Sequence, residues 1–327
     1  MIAGTREINY LRISVTDRCN FRCIYCIPAA PFKRIEHDSI ARYEEILRIV
    51  RLGCDMGITK VRVTGGEPFV RKGIFSFIRR LCRIPQLKDI SITTNGSCLN
   101  PDKIKELMDM GIQRLNFSLD TLVPEKFIRI TQRDQFQRVW DNIMAALDIG
   151  ISPIKINTVA LKGFNDDEIQ TIAGLTREYP FHVRFIEYMP MGDTDVDADR
   201  QILTRDIKDI IINTHGPLAP VPKGINDGPA KTYRLAGAPG ILGFITPISS
   251  NFCSECNRLR LTSRGTLRPC LLSNNETDIL TPLRNGADDE ALKQLMVTAL
   301  KDKPLYHNLE KRTARDVPLN HMTSIGG

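Results

Sequence analysis

The 327-residue sequence predicts an α/β fold: a partial (βα)6 TIM-like barrel of parallel strands over residues 1–190, followed over 191–327 by a C-terminal, antiparallel, cluster-binding extension. Three observations carry this expectation. Short runs at 11–16, 59–64, 89–94, 113–119, 153–159 and 182–188 alternate apolar and polar residues, and helix-patterned stretches at 39–57, 71–84, 101–110, 135–150 and 165–178 lie between them. Regular strand–helix alternation implies parallel strands joined by right-handed crossovers. From about residue 190 the composition changes: 191–199 is rich in Asp, and 216–240 is rich in Gly and Pro after a helix at 203–214.

Taken in order, the helices carry their own punctuation. Pro101 and Asp166 suit helix starts, and Gly57, Gly111 and Gly150 fall where helices should stop. Six strand–helix units are fewer than the eight of a closed barrel. Beyond residue 240, the run 241–248, then Arg258-Leu-Arg-Leu-Thr262, then the turn Ser263-Arg264-Gly265 read as antiparallel.

Composition narrows the class. The chain is 42% apolar and 25% charged, which is ordinary for a globular protein. It carries no apolar run of membrane-spanning length and no charged-then-apolar leader, so the expectation is a cytoplasmic protein without a membrane partner. Nine cysteines without a leader argue for metal chemistry or buried thiols over a disulfide framework. The net charge of +7 suits a small polyanion as well as a nucleic acid.

The cysteine spacing is the sharpest feature. Cys19, Cys23 and Cys26 follow the first strand within eight residues. An iron–sulfur cube takes four cysteine ligands, so three leave one iron open. A structural zinc would need a fourth side chain, and the nearest candidate, His37, lies beyond Pro28 and Pro31. A second triad, Cys253, Cys256 and Cys270, lies in the C-terminal part, with no Cys or His after it until His307. Cys54, Cys82 and Cys98 stand alone and read as structural.

Side-chain parity describes the barrel interior. Leu11, Ile13 and Val15 interleave with Arg12, Ser14 and Thr16; Val61 and Val63 with Arg62 and Thr64; Ile90 and Ile92 with Ser91 and Thr93. The pattern continues with Leu115, Phe117 and Leu119 against Asn116 and Ser118, and with Ile154 and Ile156 against Lys155 and Asn157. Parallel strands covered on both faces usually read as continuous apolar runs. Here one face is polar, which predicts a wet lumen that binds something charged. The loops Thr64-Gly65-Gly66-Glu67-Pro68, Thr94-Asn95-Gly96 and Ser118-Leu-Asp120 all end strands, where parallel barrels place their sites.

The CxxxCxxC of the first triad resembles the signature of radical S-adenosylmethionine (SAM) enzymes. With the second triad the resemblance narrows to the GTP 3′,8-cyclase family of molybdenum cofactor biosynthesis (the MoaA family). The matching stretches are Arg12-Ile-Ser-Val-Thr-Asp-Arg-Cys-Asn-Phe-Arg-Cys-Ile-Tyr-Cys26, Arg62-Val-Thr-Gly-Gly-Glu-Pro68, Thr93-Thr-Asn-Gly96, Asn251-Phe-Cys-Ser-Glu-Cys-Asn-Arg-Leu-Arg260 and Gly326-Gly327. Ile27 departs from the usual Met.

The resemblance implies two 4Fe–4S clusters, one on Cys19, Cys23 and Cys26 that cleaves SAM, and one on Cys253, Cys256 and Cys270 that binds guanine. It implies SAM contacts at Tyr25, Gly66, Ser118 and Met189, and GTP contacts at Arg12, Arg62, Thr93, Lys155, Arg258, Leu259 and Arg260. Implied partners are a reducing donor such as flavodoxin or ferredoxin and a downstream cyclic pyranopterin monophosphate synthase. The oligomeric state stays open, with a homodimer among the options. Two other classes compete. A radical SAM enzyme acting on a peptide would want more cysteines or an added peptide-binding domain. An RNA-directed zinc protein would want aromatics along its basic stretches, yet Trp140 is the single tryptophan. The tail Gly326-Gly327, after the basic Lys311, Arg312 and Arg315, is expected to thread into the barrel mouth and to arrange the lumen arginines.

Overall fold

In the computed structural model, which describes all residues except 4–5, 29–33, 192–193, 195, 223–227, 251, 307–321 and 327, a short antiparallel pair, β1 (Ile2–Ala3) and β2 (Arg6–Glu7), leads into the barrel strands. These are β3 (Tyr10–Ser14), β4 (Lys60–Thr64), β5 (Asp89–Thr94), β6 (Leu115–Ser118), β7 (Ile154–Ala160) and β8 (His182–Glu187). Between them run α1 (Tyr43–Asp55), α2 (Ile74–Cys82), α3 (Pro101–Asp109), α4 (Pro124–Thr131), α5 (Phe136–Ile149) and α6 (Ile169–Glu178). Every pairing from β3 to β8 is parallel.

The helices form for the reasons their sequences suggest. The α1 stripe of Ile46, Leu47, Ile49, Val50 and Leu52 is buried, the spacing of one helix face against a sheet. Helix α3 starts at Pro101, with the Asn100 side chain accepting from Lys103 N–H at 2.9 Å. Helix α5 stops at Gly150, whose φ of 96° is left-handed. Helix α4 lies outside the expected set; it is a short element squeezed between the Ser118–Asp120 loop and α5.

The C-terminal part holds α7 (Thr204–His215), β9 (Leu218–Val221), β10 (Lys231–Leu235), β11 (Ile241–Ile245), β12 (Arg258–Leu261), β13 (Thr266–Arg268) and β14 (Thr277–Asp278), then α8 (Leu280–Arg284), α9 (Asp289–Lys301) and α10 (Met322–Ile325). Segments 241–248 and 258–262 differ from the sequence reading. Strand β11 pairs in parallel with β8, and β12 pairs in parallel with β3. Alternation reports which face is buried but not strand direction, and an open sheet edge offers unpaired N–H and C=O groups that a returning chain satisfies in either sense. Within the large sheet, antiparallel strand pairing among the described residues is confined to β9–β10–β11 and β12–β13–β14. The strand order is β14-β13-β12-β3-β4-β5-β6-β7-β8-β11-β10-β9, and the sheet does not close.

Both faces of the central strands are buried. Leu11, Ile13, Val61, Val63, Leu115, Phe117 and Ile156 sit at 0% exposure under the helices. The opposite parity is buried too, with Arg12, Arg62, Asn116, Lys155, Arg184 and Arg260 all inside. Register sets these polar side chains beside one another: Arg260 opposite Arg12, Arg12 opposite Arg62, and Arg62 opposite Ser91. No helix among the described residues is long and apolar enough to cross a membrane.

Candidate active site

The C-terminal ends of the barrel strands open onto one cavity whose wall contains all six cysteines of the two triads. Tyr25, Gly66, Ser118 and Met189 line it, as do Arg12, Arg62, Thr93, Arg258 and Arg260. Two expected residues stand apart. Lys155 is buried on the polar parity of β7, in register with Asn116 and His182, without belonging to the cavity wall. The Leu259 side chain sits at 0% exposure in the apolar core, because it occupies the opposite parity of β12 from Arg258 and Arg260. Any contact of Leu259 with a ligand therefore falls to its backbone.

The first triad is held from three sides. Arg22 N–H donates to Thr131 O at 2.9 Å and Ile24 N–H to Ile130 O at 3.0 Å, tying the cysteine loop to the end of α4. Gly66 lies against the same loop so closely that a Cβ there would stand 2.3 Å from Arg18 O. Only glycine fits. The Glu67 carboxylate accepts from Thr94 Oγ1 at 2.8 Å, Asn95 N–H at 2.7 Å and Phe69 N–H at 3.1 Å, locking the loops after β4 and β5 together. Burial pushes that carboxyl up to about 7. Tyr25 donates its hydroxyl to Asp120 Oδ2 at 2.7 Å, and Asp120 Oδ1 accepts from Val159 N–H at 2.8 Å. Burial raises Asp120 to about 6.

Burial, joined by Glu67, pushes Cys19 up to about 11; burial, joined by the Cys19 thiol and Asp120, pushes Cys26 up to about 12. Bare thiolates are thus disfavoured here, and a bound metal centre would supply the missing positive charge. Among the described residues no group of three or more His, Cys, Asp or Glu side chains converges on a single ion. His37 is exposed in a short 3-10 turn and takes no part in the cavity wall. The donor set, three thiols spread around one pocket, fits a multi-iron centre with an open position.

The second triad sits in different electrostatics. Cys253 opens a single 3-10 turn that ends at Cys256, and Cys270 follows β13. Burial raises Cys256, but Arg258 and Lys303 outweigh it and bring the thiol down to about 6. Arg268, at 0% exposure, pairs with Glu276 at 2.9 Å and donates from Nε to Cys270 O at 3.1 Å, fixing the strand end that carries Cys270.

Between the triads the cavity is cationic. Burial and the neighbouring Arg258 pull Arg260 down to about 9, and burial with Arg260 pulls Arg12 well below its usual value. Guanidinium groups stay charged, so the cavity holds several buried cations close together, which a bound polyanion would compensate. Thr93 Oγ1 is buried on this wall without a hydrogen-bond partner among the described residues, as a ligand-facing hydroxyl would be.

The tail reaches the same place. In α10, Thr323 O accepts from Ser14 Oγ at 3.4 Å and Ser324 O from Ser263 N–H at 3.1 Å, while Ile325 is buried with Met191 and Leu272. Arg260 Nη1 donates to the carbonyls of Ile325 and Gly326. The expected threading holds for Gly326; Gly327, Lys311, Arg312 and Arg315 lie outside the described residues. Sequence reasoning missed Tyr10 and Arg184, which also line the cavity, while Asn157, placed on the polar parity, lines it as expected. The signal for Arg184 was present, since Val183 and Phe185 alternate with it in β8.

The fold and the cysteine loop define a class. Two solved structures share the architecture: SuiB of Streptococcus suis bound to S-adenosylmethionine (TM-score 0.65, 17% identity, 94% of this chain and 69% of that one) and anSMEcpe with bound AdoMet (TM-score 0.58, 15% identity, 95% and 88%). The Radical SAM superfamily matches residues 13–176, and Molybdenum Cofactor Synthesis C matches 181–309. At the level of the whole chain, GTP 3′,8-cyclases from Syntrophomonas wolfei (47% identity) and Pelotomaculum thermopropionicum (46%) each align over 98% of this chain and 98% of their own length. The chain belongs to the GTP 3′,8-cyclase family.

Proposed function

We propose that the protein converts GTP to (8S)-3′,8-cyclo-7,8-dihydroguanosine 5′-triphosphate, the first step of molybdenum cofactor biosynthesis. The observation that carries this is the convergence of five arginines, Arg12, Arg62, Arg184, Arg258 and Arg260, on one cavity whose wall holds both cysteine triads. A guanidinium fork takes phosphate oxygens two at a time, and such a set of forks matches a triphosphate better than a neutral sugar or a short peptide. A peptide substrate is the weaker reading: SuiB has been solved with a precursor peptide, but at 17% identity that likeness speaks of fold alone.

In this reading residues 1–190 form the radical-generating unit and 191–327 bring the substrate-binding residues. Cys19, Cys23 and Cys26 would hold a SAM-binding 4Fe–4S cluster, and Cys253, Cys256 and Cys270 would hold a second one that serves to bind the guanine. SAM, when bound and reduced by one electron, would supply the chemistry that removes hydrogen from C3′, and closing C3′ onto C8 would take one further electron and a proton to give the 7,8-dihydro product. The chain's own residues do the rest. Tyr25, Gly66, Ser118 and Met189 seat SAM, with the Tyr25 ring fixed by Asp120. The arginines, with Lys155 and Thr93, hold the nucleotide so that C3′ faces the radical carbon, and the enclosed lumen keeps out quenching donors. A flavodoxin or ferredoxin provides the electron, and a cyclic pyranopterin monophosphate synthase consumes the product.

Two expected results follow directly. Anaerobically reconstituted protein contains two clusters, and converting Cys253, Cys256 and Cys270 to Ala removes roughly half of the iron and sulfide, each cluster resting on its own thiolates. Stoichiometric zinc, or no change in iron, refutes the two-cluster assignment. In equilibrium binding, GTP outcompetes guanosine by a margin that shrinks with added salt. Arg258→Ala and Arg260→Ala each weaken GTP by about 1.5–3 kcal/mol, the range for hydrogen bonds to charged groups. Equal affinity for guanosine and GTP refutes the triphosphate site.

A further inference from the structure

Lys303 lies two residues beyond α9, outside both cysteine triads, and it is 7% exposed. Its ammonium donates to Arg258 O at 2.7 Å, to Pro269 O at 2.7 Å and to Cys256 Sγ at 3.5 Å. An ammonium has three N–H donors, and all three are used. The acceptors span the second triad: Arg258 follows Cys256 by two residues, and Pro269 immediately precedes Cys270. The loop carrying Lys303 is itself clamped there. Arg6 donates to Cys253 O at 2.8 Å and to the carbonyls of Lys303 and Pro304, both at 3.0 Å.

Burying an ammonium is costly unless a negative charge compensates it. Among the described residues no carboxylate forms an ion pair with Lys303; the acidic side chain it touches is the thiol of Cys256. The first triad has the reverse surroundings, with the carboxylates of Glu67 and Asp120 close to its thiols.

We propose that Lys303 is a positioning residue for the C-terminal iron–sulfur centre: its charge, delivered through the bond to Cys256, raises that centre's reduction potential, and its two carbonyl contacts hold the Cys256 and Cys270 loops in one frame. A nearby cation favours the state with more electron density. The structure thereby separates the two centres, leaving the one among carboxylates as the stronger reductant. The inference rests on the two-cluster reading above and extends it to a residue outside the ligand set.

The test uses the full chain with Cys19, Cys23 and Cys26 converted to Ala, so that only the C-terminal centre remains. Its midpoint is read by electron paramagnetic resonance during redox titration, without SAM or GTP. Lys303→Met is expected to shift the one-electron equilibrium toward the oxidised form about tenfold, or 59 mV, while Lys303→Arg stays near the parent. A Lys303→Met protein with full iron and an unchanged midpoint overturns the proposal. If Lys303→Met fails to assemble the centre, Lys303→Gln decides. A Gln variant that holds iron at the parental midpoint overturns the charge role, and a lowered midpoint supports it. If Met and Gln both fail, assembly in Lys303→Arg alone supports a required charge, and failure of Arg as well overturns it. No iron–sulfur signal in the parent itself refutes the two-cluster reading, and the proposal falls with it.

Discussion

Cys23→Ala is expected to abolish reductive SAM cleavage, whereas Cys270→Ala leaves cleavage running but uncoupled from GTP. The reason is the different surroundings of the two triads. Cys23 is half-buried near Asp120, Cys26 and Cys19, and all three push its thiol further up than burial alone does. Its loop is fastened to α4, to Gly66 and, through Tyr25, to Asp120. On the proposed assignment, Cys23→Ala takes away one of three ligands and with it the centre that SAM needs. Even an outer-shell partner of a metal site costs about 10–100-fold, so loss of a ligand should lower 5′-deoxyadenosine formation by more than about 100-fold. Cys270 lies on the far strand end, after β13, in a setting held by Arg268 and Glu276. Its loss should leave 5′-deoxyadenosine measurable while cyclised nucleotide disappears. Quantifying both products by chromatography under dithionite checks this. If both variants cleave SAM like the parent, the division of labour is wrong.

Gly326→Ala is the second large effect. Gly326 has φ of 72°, and a Cβ built there stands 2.6 Å from Thr64 Cγ2 and 3.4 Å from Ser14 Cβ. Both neighbours sit on barrel strands with no freedom to retreat. A left-handed backbone costs a side-chain-bearing residue about 1–2 kcal/mol, and the clash adds to it, so the tail should leave its seat. Arg260 then loses the carbonyls of Ile325 and Gly326 that fix its guanidinium beside Arg12. At 1.36 kcal/mol per decade, cyclisation should fall about tenfold or more, with iron content and SAM cleavage unchanged. Parental cyclisation in Gly326→Ala would show that the tail does not arrange the arginines.

Much of this site was legible before any coordinates. Thiol spacing marks a cluster because three sulfurs within eight residues can reach one small centre without help from the rest of the fold. Parity put Arg12, Arg62, Thr93 and Lys155 on the polar face because a strand sends alternate side chains to opposite faces, whereas Arg258 and Arg260 entered only through the family resemblance. The same rule, applied to β12, places Leu259 in the core, where the structure has it. Strand direction at the sheet edges was not legible, since period-two alternation is identical in parallel and antiparallel pairing.

By itself, then, the sequence determined the barrel's alternation, its polar interior, both cysteine triads and the family. All of these are local patterns, set by neighbours within a few residues. The tertiary structure alone decided which distant groups share a charge environment: Asp120 with Tyr25 and Val159, Gly326 with Thr64 and Arg260, Lys303 with Cys256 and Pro269. Those pairs are separated by up to hundreds of residues, and no periodicity records them. They form because a buried charge or carbonyl must find a partner, and only the closed path of the chain determines which one lies within reach.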